Sequence, residues 1–204
     1  MAEDQLKEVR GEGRIMITTQ DVVEKWIPYR LQAISTFLKI WKIANESPDQ
    51  RKVEIVIDGK TRMQGNVALI ANPMIEAGLI HARALLGFLG LSVDRQGRLV
   101  QATPSRQDDI AIEKVMIEGI PLRRVTPEEA IRAYSGPPEE AEAALVAILE
   151  FTNKSVAHLT TGALSRSYTE DHLEIACRGI TELLRGHLYE KLGMMIPDSP
   201  LAGS

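Results

Sequence analysis

Apolar residues recur along this chain at helical spacing in four long runs. Ile27, Leu31, Ile34, Leu38 and Trp41 follow one another at steps of four and three, with Val23 four residues before them. That is one helical stripe. It predicts a helix from a cap at Thr19 to about Asn45, with Pro28 marking a kink or a fresh start after a short helix. Ile75, Leu79, Ala82, Leu86 and Leu89 repeat the pattern, and Asn72-Pro73 supplies a cap followed by a first-position proline. That helix is expected to run to about Gly90, with a further turn or two over 67 to 71. A third stripe, Leu145, Leu149, Thr152, Val156 and Leu159, predicts a helix over about 138 to 158. The fourth, Leu173, Cys177, Ile180, Leu184 and His187, follows a cap at Thr169.

The pattern changes between these runs. Residues 53 to 57 (VEIVI), followed by Asp58-Gly59, read as a strand and a tight hairpin turn, with a return over Lys60 to Met63. Residues 92 to 107 read as a loop, with a weak hairpin around Gln96-Gly97. Residues 108 to 118 (DDIAIEKVMIE) read as helix. Thr126-Pro127-Glu128-Glu129 is a capping box opening a short helix, which Ser135-Gly136-Pro137-Pro138 ends. Residues 160 to 168 are a connection. The sum is a mainly α fold: a bundle of about four to five long helices with a small β-hairpin insertion. It occupies 19 to 195 as a single domain, between a flexible polar arm over 1 to 18 and a flexible tail over 196 to 204.

Composition changes this picture little. At 204 residues the chain is long enough to bury a core without disulfides or metals. Aromatic residues are only 4%, so aliphatic side chains must fill the interior. The formal net charge of −4 argues against a protein that coats duplex nucleic acid. A single cysteine, Cys177, excludes an internal disulfide and a cysteine-rich zinc site. No apolar run reaches the ~18 residues that span a bilayer, and the charged start lacks a signal peptide's apolar stretch. The expectation is a cytoplasmic protein without membrane contact. No phosphate-loop, dinucleotide or zinc-protease motif is present, so no cofactor and no metal is expected.

Three segments in order carry a family resemblance: IEAGLIHARALLGFLG (75 to 90), SRQDDIAIEKV (105 to 115) and NKSVAHLT (153 to 160). Together they resemble uncharacterised bacterial proteins in or near the HEPN superfamily, over roughly residues 72 to 190. The resemblance implies a bundle of four or five helices, often dimeric. In active HEPN ribonucleases an arginine, usually followed by a polar residue, precedes a histidine by four to six positions. Two such motifs face each other across the dimer. Here His158 matches the histidine. Asn153 matches either the arginine position or the polar residue after it, and in the second alignment Thr152 stands at the arginine position. Neither alignment contains an arginine, and many members of the superfamily are non-catalytic.

The residues also have a reading of their own. Lys154 lies four before His158, on one helix face, and could hold an RNA phosphate while His158 moves a proton. The plainer reading of His158 is a helix-end residue favoured by the C-terminal dipole. Arg166 and His172 repeat the motif spacing, but Arg166 precedes the cap at Thr169. It could instead fold back towards His158. Glu76 and Arg83 share a stripe about 10 Å apart, which Gly87 and Gly90 continue. That stripe is either a close-approach surface for another helix or a second subunit, or a solvated face. Asp108 and Asp109 read as first-turn anions rather than metal ligands. His81 reads as a packed or surface residue. Cys177 reads as a buried, unreactive thiol.

The expectation that follows is a HEPN-like, non-catalytic, homodimeric interaction module, with RNA or a cognate protein as candidate partner and, by resemblance, a setting in RNA-linked stress or defence. The alternatives are a metal-independent ribonuclease using His158 with Lys154 or Arg166, and a helical small-molecule-binding or structural protein.

Overall fold

The computed structural model describes residues 18–46, 52–103, 109–153 and 169–198. The chain is mainly α. Thr18, one residue before the expected cap, closes a capping box with Asp21 and starts α1 (Thr19–Asp21). A π-helical turn (Val22–Trp26) then leads without a break into α2 (Ile27–Asn45). Pro28 stands at the start of α2 but inside this continuous helical run, so its missing N–H leaves a carbonyl of the preceding turn without its helical partner. The hairpin β1 (Lys52–Ile57) and β2 (Lys60–Asn66) forms as expected, with β1 starting one residue earlier and β2 ending three residues later than predicted. Asp58 and Gly59 take φ of 52° and 70°, the left-handed pair that a tight two-residue turn demands.

α3 (Ala68–Leu89) starts earlier than Asn72-Pro73 suggests, and Pro73 lies inside it. The Asn66 side chain, not Asn72, accepts the Ala68 N–H at 2.9 Å. Pro73 cannot donate to the Leu69 carbonyl. Both residues are exposed, so solvent can take the place of that bond. Gly90, at φ 90°, ends the helix.

The expected loop over 92 to 107 contains a hairpin of β3 (Leu91–Val93) and β4 (Leu99–Gln101). The Asp94 carboxylate shapes its turn by accepting the Gln96 and Arg98 N–H groups. The helix expected over 108 to 118 does not form. One 3-10 turn (Ile112–Lys114) is followed by a third hairpin, β5 (Met116–Ile117) and β6 (Ile120–Pro121). Glu118 and Gly119 adopt φ of 50° and 81°, a left-handed turn incompatible with helix. Only Ala111, Ile112 and Val115 of this segment reach the core.

The remaining helices are α4 (Pro127–Arg132), α5 (Pro138–Phe151) and α6 (Glu170–Leu184), the last continuing into a π turn (Arg185–Tyr189). A capping box of Thr126 with Glu129 opens α4, as the sequence predicts, and the expected cap at Thr169 opens α6, where His172 completes a capping box. α2 packs along α3 and α5 along α6, with α3 touching both α5 and α6. α2 and α3 approach closely at Gly78 of α3. A Cβ there would lie 2.2 Å from Phe37 Cβ and 3.3 Å from the Ala33 carbonyl oxygen. The two ends of the described fold meet where the buried Tyr189 hydroxyl donates to the Val23 carbonyl at 2.7 Å.

Candidate functional site

The residues singled out from the sequence are scattered. His158, Lys154 and Arg166 lie outside the described residues, as does Asp108. Thr152 is 1% exposed. Its hydroxyl lies 2.7 Å from the Ile148 carbonyl and 3.3 Å from that of Leu79, which pins the end of α5 to α3. A side chain at position 152 therefore faces the core, not a substrate. Asn153 follows it, half-buried, in the last described turn. His172 is committed to its cap, with Nδ1 3.0 Å from the Thr169 hydroxyl. Cys177 is buried, and burial pushes its thiol pKa up to about 12, with the Glu174 carboxylate adding to the shift. Among the described residues, no group of three or more His, Cys, Asp or Glu side chains could hold a metal ion. No helix among them is long and apolar enough to cross a membrane.

The roomiest groove described, about 730 Å³, lies between Tyr134 and α6. Its charges are largely spent on one another. Glu174 pairs with Lys42 and Arg178, and Glu182 pairs with Arg185.

Two features of the α2–α3 pair are not spent in this way. The first is the outward side of α3. Leu69, Pro73, Ala77 and Ile80 are exposed at steps of four, four and three, and exposed Gly87 follows two turns later, so they form one apolar stripe flanked by Glu76 and Arg83. A helix apolar on its outer as well as its inner side is built to be covered. Leu69 and Ile80 are 55% and 47% exposed. Neither Glu76 nor Arg83 has an ion-pair partner among the described residues. The sequence pointed to this stripe but placed its close approach at Gly87 and Gly90. Within the chain α2 approaches at Gly78, a Cβ on Gly90 would lie 2.8 Å from the Arg124 side chain, and one on Gly87 would meet nothing within 4 Å. Leu69 also ties the stripe to the β1–β2 hairpin, since its Cδ2 would lie 3.0 Å from a Cβ on Gly65. Gly65 shares one hairpin face with Val53, Ile55 and Met63.

The second feature is Arg30. Arg30 Nη1 donates to His81 Nδ1 at 2.8 Å, and Tyr29 sits edge-on to the same imidazole, with ring centroids 5.3 Å apart. Burial lowers the His81 pKa, and the neighbouring guanidinium lowers it further, so the ring is neutral at pH 7. Arginine has only donors to offer. Nδ1 is therefore the bare nitrogen and Nε2 carries the proton. Among the described residues Arg30 makes no ion pair with a carboxylate, and burial pulls its own pKa down. The sequence reading missed Arg30. Its signal was an arginine four residues after Trp26 within an apolar helix.

Compared with known protein families, with characterised proteins and with solved structures, the chain gives no match.

Proposed function

We propose that this protein is a HEPN-like helical interaction module without catalysis of its own, and that it works as a homodimer joined along the outer stripe of α3. The observation that carries the reading is the self-complementarity of that stripe. In a two-fold pair each patch must accept its own copy. Two antiparallel copies of α3 crossing at Ile80 place Ile80 on Ile80. They also place Pro73 opposite Gly87 and Glu76 opposite Arg83, twice over. The β1–β2 hairpin adds its apolar face at each end. A two-stranded hairpin is marginal on its own, and a partner would hold it.

Charge reversal tests this. Glu76→Arg and Arg83→Glu each turn two attractive contacts into two repulsive ones. Each is expected to weaken self-association by about 1–2 kcal/mol, roughly tenfold in the dimer constant. The double variant restores the pairing with signs exchanged. Sedimentation equilibrium across a concentration series reads all four proteins. A wild type that stays monomeric, or a double variant no tighter than the singles, would sink the dimer.

The absence of catalysis has its own check. Wild-type protein and His158→Ala are expected to leave single-stranded RNA equally intact at low and moderate salt. Cleavage by the wild type that the variant lacks would instead establish a ribonuclease, with Lys154 and Arg166 the next residues to test.

A further inference from the structure

Beside the α3 stripe runs a groove of about 290 Å³ lined by Trp26, Arg30, Ala84, Phe88, Asp109 and Ile110, among others. A second groove of the same size shares Ala84, Phe88, Asp109 and Ile110 with it and continues to Gly87 and Gly90. Apart from Asp109 the walls are apolar and aromatic, and among the described residues Arg30 is the one cation in the first groove.

The guanidinium has five N–H donors, and one of them is spent on His81. No other acceptor for Arg30 is found among the described residues, although the side chain is half-buried. A partly buried cation without a counter-ion is unfavourable, and a bound anion relieves it. His81 cannot serve, because it is neutral and already accepts from Arg30. Its effect is to tether the guanidinium at one N–H, while the Arg30 side chain lines the groove. A planar guanidinium held this way matches a carboxylate or phosphate oxygen pair bidentately.

We propose that Arg30 and this groove form a binding site for a small organic anion, with a single oxyanion head on Arg30 and a flat apolar body between Trp26, Phe88 and Ile110. The site stands independently of the dimer, because its walls come from one chain.

The test uses full-length Trp41→Phe protein, so that Trp26 is the only indole and its fluorescence reports on the groove. Titration with benzoate is expected to give a saturable change at millimolar concentration or below. Neutral benzamide, with the same ring, should bind at least tenfold more weakly. Phenyl phosphate against inorganic phosphate separates head from body: the first binds and the second, lacking the apolar body, is at least tenfold weaker. In Arg30→Gln, benzoate affinity falls to that of benzamide. If that variant unfolds, saturable shifts of the His81 ring signals on benzoate addition to the Trp41→Phe protein carry the test. Benzamide binding as tightly as benzoate, benzoate binding unchanged in folded Arg30→Gln, or no saturable response from either readout would overturn the proposal.

Discussion

Phe37→Ala is expected to destabilise the protein by about 3–5 kcal/mol, the range for removing a fully buried aromatic ring. Phe37 is 0% exposed and meets Trp41 edge-on, with ring centroids 5.9 Å apart. It also lies directly over Gly78, where α3 comes close to the α2 backbone. Truncation leaves a cavity at the point where the helices can least close up, since their backbones are already near contact there. Against a typical total of about 5–15 kcal/mol, the loss would bring the protein close to unfolding. Urea denaturation followed by far-ultraviolet circular dichroism and by fluorescence reads it. A loss below about 1 kcal/mol would mean that the α2–α3 seam is not the tight core described above.

Gly78→Ala, the second prediction, runs against helix propensity. Alanine should stabilise a helix interior by about 1 kcal/mol over glycine. At Gly78 the new Cβ would stand 2.2 Å from Phe37 Cβ, an atom fixed to the α2 backbone rather than the free end of a side chain. The helices must part, which costs about 1–3 kcal/mol and at this distance the upper end. A net loss of about 2 kcal/mol is expected. The same substitution at Gly179 in α6, where a Cβ would meet nothing within 4 Å, is expected to raise stability by about 0.5–1 kcal/mol. Phe37→Ala should not rescue Gly78→Ala, because alanine keeps the offending Cβ. A double variant more stable than Phe37→Ala alone would place the strain elsewhere.

The long elements were legible because their causes are local. The four stripes, the Asp58-Gly59 turn and the caps at Thr126 and Thr169 each follow from residues a few positions apart. The misreadings came where a tertiary demand outweighed a local signal. Asn72-Pro73 has the form of a helix start, yet the chain needs the α3 axis to begin at Ala68, directly after Asn66 has left the hairpin. Residues 108 to 118 carry helical spacing at Ile112 and Val115, but Glu118 and Gly119 turn the chain back and the hairpin wins. The stripe of Glu76, Arg83 and Gly87 was visible as a pattern. Which of α3's glycines met a neighbour was not, because that depends on where Phe37 falls on another helix. Arg30 and His81 lie 51 positions apart, and no spacing rule within either helix joins them.

The hydrogen bond from Tyr189 to Val23 sets a timetable for synthesis. α2 and α3 are complete once residue 89 has been added, and they can pair as they emerge. The seat of Val23 stays open until residue 189 arrives, about a hundred residues later. At ~5–20 residues per second that interval is about 5–20 s on the ribosome. Throughout it, the apolar faces of α2 and α3 that later pack against α5 and α6 stand uncovered on the nascent chain. A growing polypeptide in that condition is a ready client for chaperones that bind exposed aliphatic surface.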